Sequence, residues 1–166
     1  MNLALTGFMG TGKSSVGRLL AQRLAHTHLD TDAWIEGQAQ MSIPALFAAE
    51  GEAAFRAREY TLIVSLEQQK NLVISTGGGL IVDPRNRHSL RRHARLLCLT
   101  ARPETIVQRV EHQQHRPLLQ GHDPLARIQQ LLHARAQAYA DAEVQVATDE
   151  KTVEEVVEEI LDWWRR

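Results

Sequence analysis

Gly7-Phe8-Met9-Gly10-Thr11-Gly12-Lys13-Ser14 is a G-x-x-x-x-G-K-[ST] run, the spacing that folds backbone N–H groups around a chain of phosphates. Its glycines allow a tight turn, and a helix opening near Lys13 adds its positive N-terminal end. In such a loop Lys13 is a mobile charge for the β- and γ-phosphates, and the Ser14 hydroxyl is placed to ligate Mg²⁺. Gly10, Thr11, Gly12 and Ser15 complete the expected cradle. The run lies between a short apolar segment (2–6) and a helical pattern, the context that separates a phosphate loop from a chance glycine-containing turn. It specifies a nucleoside triphosphate and leaves the chemistry open.

What is absent narrows that chemistry. A guanine-reading N-K-x-D segment is missing, since none of Lys13, Lys70 and Lys151 has Asp two residues later. Nor does a downstream apolar run end in Asp: Val73-Ile74 leads into Ser75-Thr76, and Leu97-Cys98-Leu99 into Thr100. The carboxylate for a metal must come from Asp30, at the end of a second short strand. In a parallel sheet the carboxyl ends of the strands share one edge, which brings Asp30 beside the loop. Asp30-Thr31-Asp32 is read as an extended segment with both carboxylates on one side, one orienting a Mg²⁺ water and the other facing an acceptor hydroxyl. Alone, the same triplet is a helix N-cap and a solvated turn.

A hydroxylated carboxylic acid as acceptor needs a guanidinium for bidentate capture. Arg56 has Glu59 three residues on to orient it; the bland alternative is an exposed ion pair worth little. Arg135 is either a second carboxylate ligand or an exposed position on an amphipathic helix. Gly77-Gly78-Gly79 follows a β-rich run and favours close backbone approach over a flexible turn. The eight histidines show no zinc spacing, although His112 and His115 share a helical face. Cys98 sits in an apolar run and reads as a buried hydrophobe. Trp163-Trp164 reads as helix packing.

The elements that must hold these residues alternate. Apolar runs at 2–6, 72–75 and 95–100, with shorter ones ending at Asp30 and spanning 144–147, are each followed by helical spacing. Helices are expected over 13–25, after Ser42 with Pro44 just inside, over 52–69, from Pro84, from Pro103 and from Pro124. Thr152 with Glu155 is a capping box for a helix over 153–163. Strands without alternation, each followed by a helix, mean a parallel sheet covered on both faces. The one compositional break, 111–123, is polar and contains Gly121. It reads as a lid or as an ordinary surface loop.

At 166 residues and 18.7 kDa the chain is one domain long. Nineteen Lys+Arg against twenty Asp+Glu give no argument for nucleic acid. One cysteine excludes an intramolecular disulfide. No run approaches the ~18 apolar residues that span a bilayer, and the first ten residues lack a basic leader, so a cytoplasmic protein is expected.

Taken together, the loop at 7–14, Asp30-Thr31-Asp32, Phe55-Arg56 with Glu59, Ser75-Thr76-Gly77-Gly78-Gly79, Arg116-Pro117-Leu118-Leu119, and Arg135 with Tyr139 resemble the shikimate kinases. The resemblance runs over residues 3–151. It implies a three-layer α/β/α sandwich with a five-stranded parallel sheet of the nucleoside-monophosphate-kinase type, as a single domain over 1–166. It also implies transfer of the ATP γ-phosphate to the 3-hydroxyl of shikimate, with Mg²⁺. In that pattern Asp32 faces the acceptor hydroxyl and Asp30 helps hold Mg²⁺ with Ser14. Arg56 and Arg135 hold the substrate carboxylate, and the Gly78 backbone touches the substrate within a site that includes 31–60. Arg116 reaches the phosphates from a lid over 111–123, and Arg109 and Lys151 lie near adenine. The expected partners are ATP and shikimate alone, with no nucleic acid and no membrane, bound to a monomer. The alternatives are another small phosphate-loop kinase, for gluconate or a nucleotide, and a silent nucleotide-binding module. Intact Lys13, Ser14, Asp30, Asp32 and Arg116 argue against the last.

Overall fold

The computed structural model describes residues 1–111 and 123–166. The central strand β1 (Asn2–Gly7) is buried along its whole length, as an apolar run without alternation must be when both sheet faces are covered. It pairs in parallel with β3 (Leu72–Ser75) on one side and β4 (Ala94–Thr100) on the other. β2 (Thr27–Asp30) flanks β3 and β5 (Val144–Ala147) flanks β4, both in parallel, giving the order β2-β3-β1-β4-β5.

Side chains leave the sheet alternately into two cores. Leu3, Leu5, Val73, Leu97 and Leu99 meet Val16 and Leu20 of α1 (Lys13–Leu24) and Val157 and Ile160 of α7 (Val153–Trp164). Ala4, Ile74, Leu96 and Cys98 face the opposite layer. That layer comprises α2 (Thr31–Ala39), α3 (Ile43–Ser65), α4 (Pro84–His93), α5 (Pro103–Val110) and α6 (Pro124–Ala140). The expected α/β/α sandwich on a five-stranded parallel sheet is the observed fold. Burial pushes the Cys98 thiol up to about 12, which leaves it an inert hydrophobe of this core.

Local signals account for most element starts. The Ser42 hydroxyl accepts from Ala45 N–H at the head of α3, Asp83 and Asp123 do the same for α4 and α6, and Thr152 with Glu155 forms the expected capping box. α3 is broken at Gly51, whose φ of +82° no helix contains; the two expected helices therefore meet there end to end, and the second stops at Ser65 rather than 69.

One expectation is overturned. The segment after Asp30 is not extended: Asp30 is the N-cap of α2, with Oδ1 accepting from Asp32 N–H (3.1 Å) and Ala33 N–H (3.2 Å). Asp32 is thereby carried into the first helical turn. The cap satisfies donors that an extended chain would leave to water, and it costs Asp30 only one of its two oxygens. Residues 112–122 lie outside the described residues, and with them Arg116 and most of the expected lid.

Candidate active site

The parallel register brings the ends of β1, β2 and β3 to one edge, with Asp30 paired to Ser75 and Leu5 to Ser75 across the sheet. The phosphate loop rises from this edge. Its turn gathers on the Phe8 carbonyl, which accepts from Thr11 Oγ1 (2.8 Å) and Lys13 Nζ (2.8 Å). Gly12, at a left-handed φ of +92°, is the N-cap of α1 and offers no side chain to its first N–H groups. An uncapped helix start with a lysine beside it is an anion site. Ser15 lies exposed in that first turn. The Gly10 carbonyl accepts from Arg109 of α5 (3.0 Å), whose guanidinium also donates to Thr148 Oγ1 and Thr148 O (2.9 Å each). Arg109 thus ties the loop to the end of β5, on the expected nucleotide side. Lys151 is turned to α7, where its ammonium meets Glu159 at 2.5 Å.

Ser14 Oγ donates to Asp30 Oδ2 at 2.5 Å. A hydroxyl and a carboxylate oxygen at the mouth of a phosphate loop suit a hard cation that takes few protein ligands and completes its shell with water and phosphate. The residues present therefore fit Mg²⁺.

The acceptor side is organised by the three glycines after β3. A Cβ at Gly77 would stand 2.4 Å from Asp32 Oδ1, and one at Gly79 would stand 2.7 Å from an Arg56 guanidinium nitrogen. At Gly78 it would lie 3.5 Å from Met9 N of the phosphate loop and 3.8 Å from Arg135. Gly77 and Gly79 admit Asp32 and Arg56 by lacking a side chain, and Arg135 lies against Gly78, so the three expected site residues converge on one stretch of backbone beside the loop. The Gly78 carbonyl accepts from Arg135 (3.2 Å) and from the Tyr139 hydroxyl (2.9 Å), which fixes the orientation of that peptide. The Gly77 N–H donates to Thr31 Oγ1 at 2.8 Å.

Arg56 donates to Glu59 Oε2 (2.7 Å) and to Glu52 (3.3 Å). Glu59 is only 1% exposed, and its Oε1 is buried without a partner among the described residues. Burial pushes its carboxyl up to about 7, with the charges of Asp32 and Asp83 adding to the shift and Arg56 working against it. The ion pair is therefore far from the exposed one that sequence spacing alone suggests.

Sequence reasoning missed the residues that hold these groups in place. Thr31 was visible only as the middle of Asp-Thr-Asp, and Thr148 carried no signal. Tyr139 and Ser75 enter only as parts of the motifs that carry the resemblance, and nothing local in the sequence gives either a role.

The family model for shikimate kinase matches residues 9–165. A shikimate kinase of Symbiobacterium thermophilum is 44% identical over 165 residues, covering 98% of this chain and 95% of that protein. One of Thermus thermophilus is 45% identical, covering 98% and 90%. The structure of a shikimate kinase from Acinetobacter baumannii in complex with shikimate superposes with a TM-score of 0.94 at 35% identity, over 99% of this chain and 92% of that one. A gluconokinase from Sinorhizobium meliloti, 16% identical with a TM-score of 0.60, shares the fold alone. A phosphate loop, a carboxylate and two arginines meeting on a triglycine edge, and similarity of this extent over nearly the whole length, make the chain a member of the shikimate kinase family.

Proposed function

We propose that this kinase transfers the γ-phosphoryl group of ATP to the 3-hydroxyl of shikimate. The observation that carries the reading is the convergence of Asp32, Arg56 and Arg135 on Gly77–Gly79, beside the phosphate loop. Two guanidiniums there suit the carboxylate of a hydroxylated acid, with Asp32 beside them for its hydroxyl.

In this reading Gly10, Thr11, Gly12, Lys13, Ser14 and Ser15 cradle the phosphates, with Arg109 and Lys151 on the adenine side. Arg56 and Arg135 hold the substrate carboxylate, and the Gly78 backbone closes on the ring. Asp32 accepts the proton of the acceptor hydroxyl as its oxygen bonds to the γ-phosphorus and the bond to ADP breaks in line. Lys13 stays on the transferred group throughout, matching charge that shifts toward the leaving oxygen. Mg²⁺, held by Ser14 and Asp30, supplies neutralisation of the phosphate charge when bound. Arg116, in the proposed lid, adds a further cation. A monomer that engages neither nucleic acid nor membrane is part of the same proposal; among the described residues no helix is long and apolar enough to cross a bilayer.

The test is ATP consumption with shikimate, with gluconate and with no acceptor. Turnover with shikimate alone is expected. Equal turnover with gluconate, or none with any acceptor, overturns the reading.

A further inference from the structure

We propose that His28 is a positioning residue for the phosphate loop, acting through Ser75 on the first turn of α1. The proposal rests on the phosphate-loop reading above. His28 lies on β2, and its Nε2 is 2.9 Å from Ser75 Oγ. Ser75, fully buried at the end of β3, donates its hydroxyl proton to the Lys13 carbonyl at 3.0 Å. A serine hydroxyl has one proton, so the contact with His28 runs the other way: the imidazole Nε2–H donates to Ser75. The line is therefore directional, from β2 through β3 into the backbone of the residue whose ammonium serves the phosphates.

Two further observations show that the line bears on the helix. Gly17 is an interior residue of α1, where glycine is disfavoured. A Cβ there would stand 2.4 Å from Ser75 Oγ and 2.7 Å from His28 Nε2, so the helix rests directly on this pair. Two residues beyond His28 on the chain, Asp30 accepts from Ser14. α1 is thus attached at two successive residues, by its backbone at Lys13 and by its side chain at Ser14. Two adjacent attachments fix both the rotation and the height of its N-terminus. The N–H groups there must meet phosphate oxygens within about half an ångström to act well, and this double attachment supplies that constraint.

The test compares His28→Leu, which keeps bulk and removes the donor, with His28→Gln, which keeps an N–H near Nε2. Three quantities are read: calorimetric affinity for ADP with and without Mg²⁺, affinity for shikimate, and hydrogen exchange of the amides in the first turn of α1. His28→Leu is expected to weaken ADP about 5- to 10-fold in both conditions and to speed that exchange severalfold, with shikimate affinity within twofold. His28→Gln should recover most of the loss, and His28→Leu should cost little more when added to Ser75→Ala, which already removes the hydroxyl through which His28 acts. Should His28→Leu fold poorly, Gly17→Ala disturbs the same line from the helix side and is expected to show the same nucleotide-selective loss. Unchanged ADP affinity, equal loss for both ligands, or no rescue by glutamine overturns the proposal. A folded Lys13→Ala protein that binds ADP normally would instead overturn the phosphate-loop reading itself.

Discussion

The proposed phosphate half and the proposed acceptor half of this site share one sheet edge but are made differently. The phosphate half comes from eight consecutive residues and works mainly through main chain: a turn folded on the Phe8 carbonyl and a helix start that no side chain caps. The acceptor half is assembled from α2, α3, α6 and the loop after β3, and works through side-chain charge. A contiguous backbone site recognises what every nucleotide substrate shares. A site drawn from separate elements can be tuned to one acid, and each of its parts is open to separate loss.

Lys13→Ala is the largest expected break in this comparison. It should reduce transfer by at least about 10³-fold while leaving the fold intact, because the ammonium lies on the Phe8 carbonyl at the loop and not in the core. Steady-state assay with a thermal melt checks both halves of the statement. Asp32→Asn comes next on the acceptor side: kcat should fall by roughly 10²–10⁴, the range for a general base, with nucleotide affinity little changed. Asp30→Asn, its neighbour, should show its defect mainly as a raised Mg²⁺ requirement. If both variants lose only Mg²⁺ response, the two carboxylates do not divide their work as described.

Arg56→Ala should weaken shikimate by about 2–4 kcal/mol and leave ATP nearly untouched, since a charge-assisted bidentate contact is lost on one side only. Separate calorimetric titrations decide it. Gly79→Ala is the subtler form of the same experiment. Its methyl would displace the Arg56 guanidinium without removing a charge, because the contact at 2.7 Å is with the far end of a flexible side chain. About a tenfold rise in KM for shikimate is expected, with KM for ATP unchanged; equal rises in both would show that the two halves are not separable.

The smallest effect on shikimate binding concerns Glu59. Its carboxyl, pushed up to about 7 by burial, favours the folded state when protonated. That contribution is full below about pH 4.5 and is lost as pH rises through about 7, a swing on the order of 3 kcal/mol. A substrate carboxylate delivered to Arg56 raises the carboxyl further, so binding takes up protons near neutrality. Shikimate affinity should therefore rise severalfold from pH 8 to pH 6, and the effect should vanish in Glu59→Gln. Titrations in buffers of different ionisation heat measure the proton uptake directly.

The two halves also differ in how far they were legible. The loop at 7–14 and its flanking strand and helix were readable because every determinant is local in the chain. For Asp30 and Asp32 the residue types are plain in the sequence, but the backbone is not extended as the triplet suggests. An aspartate N-cap and a metal-binding aspartate look alike in sequence, and here one residue is bonded in both directions, to the α2 amides and to Ser14. The family resemblance named Arg56 and Arg135, which read alone as ordinary surface positions. Burial of Glu59 depends on packing that spacing does not encode.

Sequence by itself determined the sandwich, because unalternating apolar runs followed by helices can be buried only between two helical layers. It also determined the phosphate loop and most helix starts, each set by a few neighbouring residues. Tertiary structure alone decided which acceptor residues meet. Gly77 faces Asp32 because β3 lies beside β2, and Gly78 and Gly79 face Arg135 and Arg56 because α6 and α3 pack over the same edge, contacts between residues more than twenty positions apart. It also decided that His28 and Ser75 lie beneath α1, where a missing Cβ at Gly17 lets the helix close on them. Contacts of that kind arise from strand order and close packing, and no local pattern carries them.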